Sequence, residues 1–212
     1  MKRRFQFRLR TLLLFVTAFA VWFGTLAKCA NDQRRAVAAI RAAGAGVIYS
    51  HQFKDDGLDY YAEKPGIDWL RNLLGDDYFI TAVGAEFTCD ATDISVLRML
   101  PNVRAIYYHA LFYGDDALEQ FAGYSDLEQL EIEGHVTSSA LAKLPSFTKL
   151  RTLRVWSDGE NISVAELGKL LERLPNLKVV DVGGIDATES QLSVLRQRFS
   201  GIKDLKLELM RR

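Results

Sequence analysis

The sequence predicts an α/β fold, a solenoid with a parallel sheet of about five or six short strands, preceded by a transmembrane helix and a small α+β cap. Three observations predict it. The first is a phrase, Leu127-x-x-Leu130-x-Ile132, that returns at Val103-x-x-Ile106-x-Tyr108, Leu150-x-x-Leu153-x-Val155, Leu177-x-x-Val180-x-Val182 and Ile202-x-x-Leu205-x-Leu207. Successive starts lie 24, 23, 27 and 25 residues apart, the period of stacked strand-and-helix units. The second is the punctuation between phrases. Leu100-Pro101, Leu144-Pro145 and Leu174-Pro175 each close a short apolar segment. Proline there stops a helix and pushes the residue before it into an extended conformation, which feeds the next strand. The third is an uncharged run over residues 11–27.

That run is the first element. As a helix rising ~1.5 Å per residue it covers ~25 Å, against a hydrocarbon core of ~30 Å. Arg10 and Lys28 flank it and can extend their charges outward, while Trp22 and Phe23 lie where aromatic belts form. Residues 1–10 hold Lys2, Arg3, Arg4, Arg8 and Arg10 and no acid. Only Lys28, Arg34 and Arg35 follow closely, so the charge bias predicts a cytoplasmic N-terminus and a body outside, a single-pass protein of the cell inner membrane. A cleaved signal peptide is the alternative, with Thr25-Leu26-Ala27 as a small-x-small site. Either way the body is exported.

Residues 31–78 read as a linker helix and N-terminal cap. Asn31 or Asp32 caps a helix through Ala36, Val37, Ile40 and Ala43, ended by Gly44 and Gly46. Residues 47–53 alternate as a strand, 54–66 form a charged loop, and Ile67, Leu70, Leu73 and Leu74 make a short amphipathic helix stopped by Gly75. A terminal unit of this kind covers an open apolar end. Residues 79–212 carry the repeats, starting from a degenerate strand at 80–85. The 27-residue unit has room for a full helix over 164–173.

These features resemble a known group. Residues 80–212 look like a short, divergent leucine-rich repeat domain. Phe7-Arg-Leu9-Arg10-Thr11-Leu-Leu-Leu and Trp69-Leu70-x-x-Leu73-Leu74-Gly75-Asp76-Asp77-Tyr78-Phe79 resemble segments of bacterial membrane-anchored proteins carrying such repeats. The resemblance implies a horseshoe whose inner sheet binds protein partners. The asparagine or cysteine typical of the ninth repeat position is absent; His135 stands there in the clearest copy.

Parallel stacking makes equivalent positions neighbours. The fifth position of each strand gives Tyr107, Glu131, Arg154, Asp181 and Lys206, and the seventh gives His109, Glu133, Trp156, Gly183 and Glu208. The alternating charges fix register as an ion-pair ladder or serve recognition. Trp156 is either an exposed anchor near Tyr107 and His109 or is packed under the loop after Ser157. The candidate partner-binding residues are therefore Tyr107, His109, Glu131, Arg154 and Trp156. The C-terminal strand, 202–209, has only Met210-Arg211-Arg212 after it, and an open edge offers self-association.

Other chemistry finds no pattern. Of 27 basic residues five lie in the first ten, leaving 22 against 27 acids, a net of about −5 on the body. That excludes a basic patch for nucleic acid. Cys29 and Cys89 make neither a disulfide framework nor a paired metal motif, and His51, His109 and His135 have no ligand spacing. The pairs Asp55-Asp56, Asp76-Asp77 and Asp115-Asp116 read as helix-end or turn residues. Neither a catalytic set nor a cofactor is expected. The expected function is protein–protein interaction at a membrane. The alternatives are a self-associating envelope scaffold and a hydrolase near Asp115-Asp116.

Overall fold

The computed structural model describes residues 9–54, 57–88, 93–112, 117–158 and 162–209. It begins with α1, a single helix over Leu9–Ala42. The expected helix start at Asn31 or Asp32 is thereby corrected: both lie in mid-helix and are exposed. No glycine or proline separates residue 27 from residue 42, and six of those sixteen positions are alanine, the best helix former. At ~1.5 Å per residue α1 is ~51 Å long, enough for a bilayer core and several turns beyond it. It is a helix long and apolar enough to cross a membrane, exposed along its N-terminal part. Higher up, Ala30, Ala36, Val37 and Ile40 are buried against the body. The helix ends where Gly44 adopts φ 80° and Ala45 N–H donates to the Ile40 carbonyl at 3.1 Å.

The chain then forms an α/β body around a mostly parallel eight-stranded sheet. Strand β1 (Gly46–Tyr49) is followed by a small hairpin of β2 (Phe53–Lys54) and β3 (Gly57–Leu58). The strand expected over 47–53 is thus broken, because the Gln52 side chain accepts from Tyr49 N–H at 3.1 Å and closes a turn. Helix α2 (Asp68–Leu74) follows, stopped by Gly75 at φ 98°. Strand β4 (Ala82–Phe87) pairs antiparallel with β1. From β4 onward every neighbour is parallel: β5 (Ala105–Phe112), β6 (Gln129–His135), β7 (Thr152–Ser157), β9 (Val179–Asp186) and β10 (Asp204–Leu209), with β8 (Ile162–Ser163) as a short side pair on β9. The crossovers are 3-10 turns at Ile94–Met99 and Ala117–Gly123, then α3 (Ser138–Ala142), α4 (Val164–Glu172) and α5 (Glu189–Arg198).

Register follows the repeated phrase. Ile106, Leu130, Leu153, Val180 and Leu205 stand side by side, as do Tyr108, Ile132, Val155, Val182 and Leu207. These columns face the crossovers and make the core, where Leu130, Ile132, Leu153, Val155, Val180 and Val182 are wholly buried. Phe87, Tyr108 and Phe121 interlock there, at ring separations of 6.0 and 5.8 Å. Each leucine is worth ~2–5 kcal/mol against alanine. Crossover starts are capped by side chains: Asp93 accepts from Ser95 N–H, Thr137 from Ala140 N–H, and Thr188 forms a reciprocal box with Gln191. Around His135 other bonds tie the turns. Ser157 Oγ donates to the Val136 carbonyl at 3.1 Å, and Ser163 N–H donates to Ser138 Oγ at 2.8 Å.

Candidate functional site

The side of the sheet away from the crossovers carries the polar columns. Strand register places Tyr107, Glu131, Arg154, Asp181 and Lys206 in one row, with Glu86 before them. The next row is His109, Glu133, Trp156 and Gly183. The expected adjacency of the five candidate residues is therefore present. Their exposure is not uniform.

The hairpin after β1 folds back over the first strands. Phe53 and Leu58 pack on Ile48, Val83, Ala105 and Tyr107, so the end of the expected strand and an apolar residue of the expected charged loop share one seat. Tyr107 is consequently buried, at 4% exposure, which corrects its assignment as an exposed contact. Its hydroxyl donates to Gln129 Oε1 at 2.9 Å, and the Gln129 amide donates to the Lys54 carbonyl. Burial, with Glu131 beside it, holds the Tyr107 phenol well above the usual tyrosine range. The Arg104 guanidinium lies over the Phe53 ring, 4.4 Å from its centre. Tyr60 donates to Glu86 Oε2 at 3.2 Å, and its own pKa is pushed up to about 12 by burial and that carboxylate.

Gly57 of the hairpin still reaches the Arg154 guanidinium, where an added Cβ would stand 3.2 Å from Nη1, and beyond that point the face is more open. His109 Nδ1 is 2.6 Å from Glu133 Oε2 and its Nε2 is 3.9 Å from Glu131 Oε1, while Arg154 Nη1 donates to the other Glu131 oxygen at 3.3 Å. Trp156 is 38% exposed, and its six-membered ring lies on Gly183, where an added Cβ would stand 3.0 Å from Cε3. Beside it is a groove of about 360 Å³ lined by Trp156, Ser157, Asp158, Gly183, Gly184, Glu208 and Leu209. Gly184 has φ 82°, and a Cβ there would meet the Ser157 carbonyl at 2.4 Å. The lack of a side chain at Gly183 thus lets the indole settle on the backbone there, and Gly184 adds no side chain beside it. The other packing considered for Trp156 involves residues 159–161, outside the described residues.

Asp181 lies between Arg154 and Lys206, with one carboxyl oxygen buried and, among the described residues, without a hydrogen-bond partner. Burial raises its pKa, assisted by Glu208, against the lowering from Lys206 and Arg154.

The remaining candidates occupy structural places. Asp76 and Asp77 hold Lys64 and Arg34 at 2.8 and 3.0 Å. His135 lies 3.6 Å from Asp158. Asp55-Asp56, Cys89, Asp115-Asp116 and the C-terminal Met210-Arg211-Arg212 lie outside the described residues. At the open sheet edge Arg196 donates to the Leu207 carbonyl at 2.9 Å, which occupies one of the outward groups of β10. Sequence reasoning missed the covering hairpin and the glycine floor. Phe53 and Leu58, apolar residues five apart on either side of Asp55-Asp56-Gly57, were the available signal for the hairpin. Comparison of the chain with family profiles, with curated proteins and with solved structures found no match.

Proposed function

We propose that the chain is a single-pass, membrane-anchored, non-enzymatic binding module. In this reading residues 11–27 cross the cell inner membrane with the basic N-terminus in the cytoplasm. The parallel sheet is a short, divergent leucine-rich repeat solenoid, and its open face takes a protein partner outside the cytoplasm. One observation carries the choice of surface: Trp156 stands partly exposed on a glycine floor in the half of the sheet face that the hairpin leaves open. Aromatic residues in partly enclosed seats anchor interfaces more strongly than scattered polar contacts do. Glu133, Asp158 and Glu208 surround the indole by register or in its groove, so a basic side chain over the ring would gain from the carboxylates and the π face together.

The test is cross-linking in native membranes with wild type and a Trp156→Ala, Glu208→Lys variant, after circular dichroism has shown equal folding. A partner held by the wild type and lost by the variant supports the reading, with the affinity loss on the order of thirtyfold, about 2 kcal/mol. The same partner held equally by both moves binding away from this face and ends it.

A further inference from the structure

A second groove lies where α1 meets the body and shares no lining residue with the one beside Trp156. It measures about 660 Å³, and its mostly apolar walls include Leu26, Cys29, Met99 and Leu100, with Asp32, Arg35 and Arg98 at the rim. Leu26, Cys29, Ala30 and Gln33 follow one another at helical spacing on α1, and the same stripe continues upward into the buried Val37 and Ile40. The groove therefore begins on the last turn of the apolar run, while the body closes on the helix above it. Met99, 51% exposed, and Pro101 form the wall facing that turn.

We propose that this groove holds one phospholipid of the leaflet into which α1 runs, an amine-bearing zwitterionic lipid. The inference rests on the membrane reading of α1. Its geometry is what that reading requires: a groove whose lower wall is Leu26 opens directly onto lipid tails, and its volume is of ligand-site size, ~300–1,000 Å³. An acyl chain runs along Leu26, Met99 and Leu100. The headgroup lies at the rim, where Arg35 and Arg98 face its phosphate and Asp32 faces its ammonium group. Asp77, also in the wall, is held by Arg34 at 3.0 Å, and Gln33 donates to the Ile80 carbonyl at 2.6 Å. Among the described residues Arg35, Arg98 and Asp32 form no ion pair within 4 Å, and Arg98 bonds the Tyr124 hydroxyl and lies near Asp93. That arrangement complements a phosphate with an amine attached. Guanidinium groups match phosphate geometry better than ammonium groups do.

The test uses the full chain in bilayers of phosphatidylethanolamine and phosphatidylglycerol doped with a diazirine-bearing phosphatidylethanolamine. After illumination, adducts are mapped by peptide mass. Adducts on the peptides carrying Leu26–Arg35 and Met99–Pro101 are expected. Both Arg35→Glu with Arg98→Glu and the groove-filling Met99→Trp should lower them about tenfold, with thermal melting unchanged. Adducts that persist in both variants, or that mark only residues 12–23, belong to the surrounding lipid and overturn the proposal. Equal labelling from a diazirine phosphatidylglycerol overturns the assignment of the amine. An alkaline carbonate wash separates the two readings. Release of the chain ends both the anchor and the lipid site, whereas retention without label at 99–101 ends the lipid site alone.

Discussion

Gly184 shows how much one residue's backbone decides. Its φ of 82° and the 2.4 Å approach to the Ser157 carbonyl leave no room for a side chain. Gly184→Ala should cost ~1–3 kcal/mol in chemical denaturation; an unchanged midpoint would mean that the turn relaxes freely. Asp181 makes a prediction about pH. Its carboxyl pKa is raised in the folded chain, chiefly by burial, so the native state holds the proton more tightly than the unfolded state does. Stability is therefore lost as pH rises from the unfolded carboxylate value through the raised folded one. Asp181→Asn should flatten that slope and be at least as stable as wild type at neutral pH, with little difference in acid. Glu128 has the opposite sign. Arg104, bonded at 2.7 and 3.2 Å, lowers its pKa, so its contribution is present at neutral pH and fades as pH falls through the depressed folded value. Of the candidate residues, the strand positions of His109, Glu131, Arg154 and Trp156 were legible from the repeat alone. The burial of Tyr107 was not, because the cover comes from about fifty residues earlier in the chain and leaves no local pattern in β5.

Among the elements, the hairpin is the one whose role could not be read from periodicity. Its strands are two residues each, too short to hold together by themselves. What fixes it is tertiary: Phe53 under Arg104, Leu58 on the same patch, and the Lys54 carbonyl bonded by Gln129. Phe53→Ala should cost ~2–3 kcal/mol, less than a fully enclosed phenylalanine, since the ring is only half-buried. Amide exchange should quicken across 50–62 and over the start of β5 while β7 and β9 keep their protection. Uniform quickening would show that the hairpin belongs to the cooperative core. The crossovers were better signalled. The units of 27 and 25 residues hold the nine-residue α4 and the ten-residue α5, and the preceding units of 24 and 23 residues make do with a 3-10 turn and the five-residue α3. The longer units have room for a full helix. Proline follows the apolar segment at Pro101, Pro145 and Pro175, while α5 ends at Phe199 without one.

For the whole molecule the decisive feature is that α1 does not break at the edge of its apolar run. The residues that read as a separate linker helix continue the same rod, and the reason was present in the alanines and in the lack of glycine or proline over 28–42. What sequence could not supply was the partner for its stripe, since Ala36, Val37 and Ile40 are enclosed by a body built from distant strands. Removing residues 1–27 leaves that stripe seated. Removing 1–43 deletes it, and two fully buried aliphatic side chains alone are worth ~3–6 kcal/mol of a typical 5–15. The shorter truncation should therefore give a monomer with a cooperative melt, and the longer one should melt far lower or aggregate through the exposed seat of Ile40. Equal melting of the two fragments would mean that the upper part of α1 merely lies on the body. If the difference holds, the rod is part of the core, and any tilt of the helix in a bilayer is passed directly to the sheet. The face bearing Trp156 would then be held at a set height and angle above the lipid rather than on a tether, a geometry suited to a partner that is itself in or on the same membrane.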